Sequence, residues 1–310
     1  MATNNKTSID EFILLGLPGS RELQILYFVV YLVIYLLTIL TNSMIITVVT
    51  IDKQLHSPMY FFLCNFAFLE IWYPTVTVPK MLSSFLTGDK TISHRGCLTQ
   101  LYFFCFLGSM EYILLTVMAF DRYIAICYPL QYSTIMNSRL CKLVAIGSWT
   151  GGFLNGWALS IPGFLFSFCE SNQIDHFFCD IMPLMKLASS DTQGYVFIFI
   201  YNGWVLVLLP LLLIIISYCY IIMTILRLPS AAGRMKAFST CVSHLTVVLI
   251  FFGTVIFFYL RFKPEQSYKA DKAVSLIFVT ITPLLNPLIY SLRNKEVIKA
   301  LRRSWSKVYS

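Results

Sequence analysis

Seven long apolar stretches run along this chain, approximately over 23–49, 57–80, 97–126, 140–162, 194–226, 237–261 and 270–292. Each is long enough to cross a hydrocarbon core about 30 Å thick at about 1.5 Å of rise per residue. A soluble core needs no such series. Composition agrees, with 57% hydrophobic and 12% charged residues, against roughly 25% charged in an ordinary soluble domain. Backbone groups in lipid must find their hydrogen bonds inside the protein, so uninterrupted runs of this length predict helices and not the alternating strands of a barrel. The expected fold is an all-α membrane protein, a seven-transmembrane helix bundle over 23–292. Residues 1–22 precede it, and 293–310 form a short amphipathic helix and tail.

An odd number of crossings puts the two chain ends on opposite sides. The sequon Asn5-Lys6-Thr7 is a glycosylation acceptor, which places the N-terminus outside. The inner segments then hold 13 Lys and Arg against 10 outside, and only Asp52, Asp121 and Glu296 among the acids. The inner face is near +10 and the outer face near zero, so most of the formal +8 is a cytoplasmic basic surface suited to anionic lipid headgroups and an acidic protein partner. No nucleic-acid motif accompanies it. The first 22 residues lack a basic start, an apolar run and a small-residue cleavage site, so the first helix is expected to act as its own insertion signal.

Cys97 opens the third stretch and Cys179 lies in the long outer loop after the fourth, both on the oxidising side, which permits a disulfide. Closing that 82-residue loop removes unfolded-chain entropy worth about 4 to 5 kcal/mol. Cys169 shares the loop with no third outer cysteine to join it, and the remaining six read as small buried or near-cytoplasmic thiols.

Polar residues at membrane depth are costly and usually retained for a reason. Asn42, Glu70, Glu111 and Asn286 fall in the first, second, third and seventh stretches. Two carboxylates so deep need a cation, a proton or hydrogen-bond partners. A sodium ion or proton shared by Glu70 and Glu111 would bias one helix packing over another; a neutral network that glues helices is the competing reading. Pro210 and Pro287 interrupt backbone bonding inside the fifth and seventh stretches and create points of bending, whereas Pro58, Pro129 and Pro162 lie near helix ends. Beyond Pro287, the residues Val297, Ile298, Leu301 and Trp305 share one helical face with basic residues opposite, the pattern of a helix lying in the membrane interface.

Five phrases, in order, carry a family resemblance. They are Leu55 to Leu63 (LHSPMYFFL), Met118 to Cys127 (MAFDRYIAIC), Ser217-Tyr218, Lys236 to Cys241 (KAFSTC) and Pro283 to Tyr290 (PLLNPLIY). The chain resembles a class A (rhodopsin-like) G-protein-coupled receptor and, within that class, an odorant (olfactory) receptor over essentially its whole length. The resemblance implies a small organic odorant as ligand, a heterotrimeric G protein of the stimulatory or olfactory type as partner, and a site in the plasma membrane. It also implies a switch at Asp121, Arg122, Tyr123, Tyr218, Lys236, Asn286, Pro287 and Tyr290. In that switch Asp121 holds Arg122 at rest, and Tyr218 and Tyr290 turn inward as the sixth helix swings out.

On the third helix Phe104, Cys105, Gly108, Ser109 and Tyr112 recur at three- and four-residue steps on one face. Family analogy adds Asn202 and Leu206, then Phe252, Val255, Ile256 and Tyr259, then Val279 and Thr280, giving a mostly apolar ligand cavity. Phe104 stands where amine receptors carry an aspartate, which implies a neutral ligand. Ordinary helix packing competes at every one of these positions.

The sequence departs from the family pattern at Ser189, where a third loop cysteine is usual, so no second loop bridge is expected and Cys169 is left as a free thiol. No acid stands at the start of the sixth helix to lock Arg122, only Lys236, and no cysteine follows Cys241 to carry a palmitoyl group.

Rival classes lack their signatures. There is no internal repeat or polar row for a transporter, no lysine midway along the seventh stretch for retinal, and no nucleophile, metal or phosphate motif for an enzyme. A class A receptor for a lipid or peptide ligand is the nearest alternative.

Overall fold

The computed structural model describes residues 10–168, 171–260, 268–293 and 295–308. Asn5 and Cys169 lie outside the described residues. The membrane helices are α1 (Arg21–Ile51), α2 (Pro58–Thr87), α3 (His94–Cys127), α5 (Ser138–Leu165), α7 (Gln193–Leu226) and α8 (Ala231–Leu260). A seventh is built from α9 (Tyr268–Leu276), a π-helical turn (Ile277–Ile281) and α10 (Thr282–Arg293). Between them lie the short helices α4 (Tyr132–Ile135) and α6 (Ile181–Leu187), and α11 (Lys295–Val308) follows the last crossing. Six of the seven are long and apolar enough to cross a membrane by composition alone. The exception, α5, is 28 residues long, its apolar run diluted by Ser148, Thr150 and the pair Gly151 and Gly152.

The helix ends follow local chemistry. Ser20 and Ser93 accept bonds from Leu23 and Gly96 N–H at the starts of α1 and α3, and Pro58 sits at the first turn of α2, where its missing N–H costs nothing. The second apolar stretch loses its hydropathy at Lys80, yet α2 runs on to Thr87. The guanidinium of Arg21 donates to the carbonyls of Phe85 and Leu86 at 2.9 and 2.6 Å, and Gly88, at φ 78°, ends the helix in the left-handed region open to glycine.

Pro287 has a specific consequence. It lacks the N–H that would bond the Pro283 carbonyl four residues back, and Asn42 supplies the missing donor across the bundle at 3.2 Å. The deep asparagine of α1 thus repairs the backbone of α10.

Helix α3 runs through the middle, touching α2, α5, α7 and α8. Its closest neighbour is α5. A Cβ on Gly156 would stand 2.8 to 3.0 Å from the Cβ, Cα and N of Phe106, a distance no side chain tolerates against backbone.

One end of the bundle is capped by a small sheet that the sequence reading did not foresee. Strand β1 (Glu11–Leu14) lies between β2 (Thr91–Ser93) and β3 (Gln173–Ile174). It pairs antiparallel with β2, Phe12 opposite Ile92, and parallel with β3, Leu14 opposite Ile174. Phe12 is fully buried against Phe168 and His94. The expected disulfide is present at this end, Cys97 to Cys179, with the α carbons 5.4 Å apart. Lys272 on α9 pairs with Asp175 of the same loop at 2.5 Å. At the opposite end α11 buries Val297 of the expected face and half-buries Ile298 and Leu301, with Ala300 buried beside them, and Arg303 clasps Asp52, just past α1, through Nε and Nη2 at 3.1 and 2.6 Å.

Candidate functional site

Three groups of side chains occupy successive depths of the bundle, and α3 passes through all of them. Nearest the disulfide end is an aromatic chamber. Phe104 stacks at 4.6 Å on the loop residue Phe178 and at 5.2 Å on Tyr73 of α2, which in turn meets Phe278 of the seventh helix at 5.9 Å. The tyrosine lies against α3 at Gly108, where a Cβ would stand 3.8 Å from its hydroxyl, in ordinary contact. One turn deeper Tyr112 lies edge-on to Phe251 and Phe252 of α8 at 4.8 and 5.7 Å. The disulfide hangs the roof over this chamber, and the Cys179 N–H donates to Gln100 of α3 at 2.9 Å. Beside it His176 is buried between Phe177 and Phe178. Burial, aided by the Lys272 charge, lowers its pKa to about 3, so it stands in the roof as a neutral imidazole.

The structure brings together most residues nominated from sequence, and it divides their roles. Phe252, Val255 and Val279 are buried, Cys105, Leu206 and Ile256 half-buried. Ser109 and Asn202, nominated as polar ligand contacts, are joined by Asn155 of α5, which the sequence reading passed over. Asn202 Nδ2 donates to Asn155 Oδ1 at 2.7 Å, Asn155 Nδ2 donates to Ser109 Oγ at 2.8 Å, and Ser109 donates to the Cys105 carbonyl at 2.6 Å. Thr280 likewise spends its proton on the Leu276 carbonyl, at 2.6 Å. The side chains of Tyr259 and Lys236 lie outside the described residues.

The second group is a buried polar core. Asn286 donates to Glu70 Oε1 at 2.7 Å, joining α10 to α2, and Glu111 of α3 stands within electrostatic reach of Glu70. All three are essentially inaccessible to solvent. Asn286 Oδ1 and the Tyr290 hydroxyl are buried without a hydrogen-bond partner among the described residues, and Tyr290 packs edge-on against Phe66.

The third group surrounds Arg122. Asp121 accepts a bond from Tyr132 of α4 at 2.9 Å, so its carboxylate is held from a short helix that sequence reading left as loop. Arg122 is buried within electrostatic reach of Tyr218, Cys241, His244 and Tyr290. Tyr123 turns its ring to Tyr128 and Tyr220.

His244 is the residue the sequence reading undervalued. Its Nε2 lies 3.1 Å from the Leu115 carbonyl of α3 and its Nδ1 lies 2.8 Å from the Tyr218 hydroxyl of α7. A carbonyl can only accept, so Nε2 carries the proton and Nδ1 accepts from Tyr218. One fully buried imidazole on α8 therefore clasps two neighbouring helices. The signal was available, since a histidine amid an apolar stretch is as costly as the asparagines that were noticed.

Comparison with known proteins agrees with this geometry over nearly the full length. Residues 31–307 match the olfactory receptor family. The human olfactory receptor 6F1 is 49% identical over 98% of this chain and 99% of its own, and human olfactory receptor 6Y1 is 47% identical over 98% and 94%. Rat olfactory receptor 287 is 48% identical over 97% and 96%. A seven-helix bundle with an aromatic chamber at one end and a buried arginine at the other, matched along almost its entire length, belongs to the olfactory receptor family.

Proposed function

We infer that this chain is an odorant receptor of the plasma membrane, in which a small organic molecule in the aromatic chamber drives activation of a heterotrimeric G protein of the stimulatory type. The sheet and disulfide end faces outward and the Arg122 end faces the cytoplasm. The observation that carries this reading is the shared path through α8. Phe251 and Phe252 touch Tyr112 at the chamber, and two turns away on the same helix His244 holds α3 and α7 together beside Arg122. A ligand that pushes Tyr112 or Phe252 aside alters how α8 seats against α3. Once the His244 clasp opens, Tyr218 is released to meet Arg122, and the cavity that admits the C-terminal segment of a Gα subunit forms.

A ligand does this only through differential affinity. Moving a two-state equilibrium from mostly closed to mostly open takes about 5.5 kcal/mol of preference for the open packing. An apolar chamber supplies that by burying more ligand surface in one state, at roughly 25 cal/mol per Å². The test is a cAMP assay of cells displaying the chain against a broad volatile panel, with a peptide and lipid panel beside it. A concentration-dependent response to volatiles that is lost in Tyr259→Ala is expected; a response confined to peptides or lipids sinks the odorant reading.

The Glu70 and Glu111 pair fits a monovalent cation by its chemistry. Two carboxylates and the unpartnered Asn286 Oδ1 are hard oxygen donors in a buried site, the kind of set that sodium accepts. Bound there, sodium would balance carboxylate charge and favour the packing in which α2, α3 and α10 are drawn together. Glu70→Gln is expected to change basal cAMP severalfold and to abolish its dependence on external sodium. Unaltered basal signalling together with an unaltered sodium response would leave the pair as helix glue.

A further inference from the structure

The chamber, described so far by its apolar walls, also has two polar groups that none of the helix links consume. One is the Tyr73 hydroxyl. Its ring is buried at 2% exposure between Phe104 and Phe278, the hydroxyl reaches the face of α3 at Gly108, and it bonds no described residue. The other is the Asp180 carboxylate, next to Cys179 in the roof. Its Oδ1 caps α6 by accepting from the Ile181 N–H at 2.7 Å, which leaves most of the acceptor capacity of a carboxylate unused. Asp180 stands within electrostatic reach of both Tyr73 and Cys105, and the Phe178 to Phe104 stack fixes this stretch of the loop directly over α3. Asp180 is half-buried, and that burial pushes its carboxyl up to about 6 against the lowering effect of the Ile181 N–H.

Ser109 and Thr280 give their protons to their own helix, and Asn155 and Asn202 bond each other. These groups are spent on the protein itself, and beside them the Asp180 carboxylate keeps acceptor capacity that a donor-bearing ligand can use.

Resting on the odorant-receptor reading above, we propose that Tyr73 and Asp180 bracket the polar head of the ligand, and that the receptor selects small organic molecules whose head donates a hydrogen bond. An alcohol satisfies both groups, its oxygen accepting from Tyr73 and its proton going to Asp180. A protonated amine satisfies Asp180 as an ion pair. An ether or ester leaves the carboxylate without a donor inside an apolar chamber, and that penalty falls on affinity. The aspartate that amine receptors carry on the third helix is absent at Phe104, yet an acid reaches the same chamber from the loop.

The experiment uses the full chain with an N-terminal epitope tag to normalise surface display. It compares straight-chain alcohols from hexanol to decanol, their methyl ethers and the matching alkylamines. In the parent, alcohols or amines should act at concentrations about tenfold or more below the ethers, the worth of one bond to a charged acceptor. Asp180→Asn keeps an oxygen for the Ile181 N–H, and Tyr73→Phe keeps the ring. Asp180→Asn should raise the effective concentration of the donor-bearing ligands by a similar factor and leave the ethers in place, whereas Tyr73→Phe should raise it for alcohols and ethers alike, because either oxygen accepts from the Tyr73 hydroxyl. Greater potency of amines than alcohols identifies the head as cationic, greater potency of alcohols as neutral, and both support the assignment. Ethers as potent as alcohols in the parent overturn it, as does an Asp180→Asn shift equal for both series. A parent that answers only ketones or esters overturns this selectivity and spares the odorant reading; a parent silent to every volatile overturns both.

Discussion

Arg122→Ala is expected to reach the cell surface at parental levels, bind ligand and produce no cAMP. Arg122 is buried at the end of α3 farthest from the chamber, and it contributes nothing to the aromatic contacts that shape the ligand site. Its position beside Tyr218, His244 and Tyr290 means that its charge is felt by groups on α7, α8 and α10 together. On the proposed switch, removing it takes away a buried cation around which those helices would regroup. Loss of signal should therefore be complete, at least about a hundredfold in response amplitude, the scale set by a buried charged hydrogen bond network. Surface labelling and cAMP measured on the same cells check this, and a variant that is displayed and still signals contradicts the switch assignment.

Cys179→Ser is expected to be the most damaging change to folding. The disulfide spans 82 residues, and its loss returns about 4 to 5 kcal/mol of loop entropy to the unfolded chain, a large share of the about 5 to 15 kcal/mol by which folded proteins are stable. What remains to hold the roof is modest. It includes the backbone bonds of Ile13, Leu15 and Gly16 to the loop, the Phe178 to Phe104 stack, the Gln100 bond to the loop backbone and the Lys272–Asp175 pair, whose aspartate is half exposed and partly screened by water. Surface display should fall about tenfold or more, and thermal melting of purified receptor should shift down accordingly. Parental display and melting would show that the sheet alone secures the loop.

Much of the fold was legible because bilayer thickness imposes length. Seven apolar runs had no alternative to seven helices, and most of their observed ends lie within a few residues of those read from hydropathy. Where the ends differ, a polar residue misled. Lys80 marks the loss of hydropathy in α2, but Arg21 and Gly88 set the actual terminus at Thr87. The cap sheet was illegible for the opposite reason, since strands of two to four residues carry no periodicity and β1 owes its pairing to loops more than 75 residues distant. The π turn at Ile277–Ile281 has no marker in composition either.

In the site, apolar positions were easier than polar ones. Spacing on α3 placed Phe104, Gly108 and Tyr112 on one face, and all three meet aromatic neighbours there. Spacing says nothing about where a hydroxyl sends its proton. Ser109 and Asn202 read from sequence as candidate polar contacts, and Asn155 between them takes up their hydrogen bonds. Tyr132, His244, Tyr73 and Asp180 were missed because each acts across helices brought together only by the fold.

A ligand in the chamber is expected to reseat α8 at the Arg122 end. Spin labels on the Arg122 ends of α3 and α8 of purified receptor in nanodiscs report that separation directly. One distance population is expected without ligand and a longer one with an agonist, the shift disappearing when Tyr112→Ala removes the contact to Phe251 and Phe252. An agonist that raises cAMP while the separation stays fixed would contradict it.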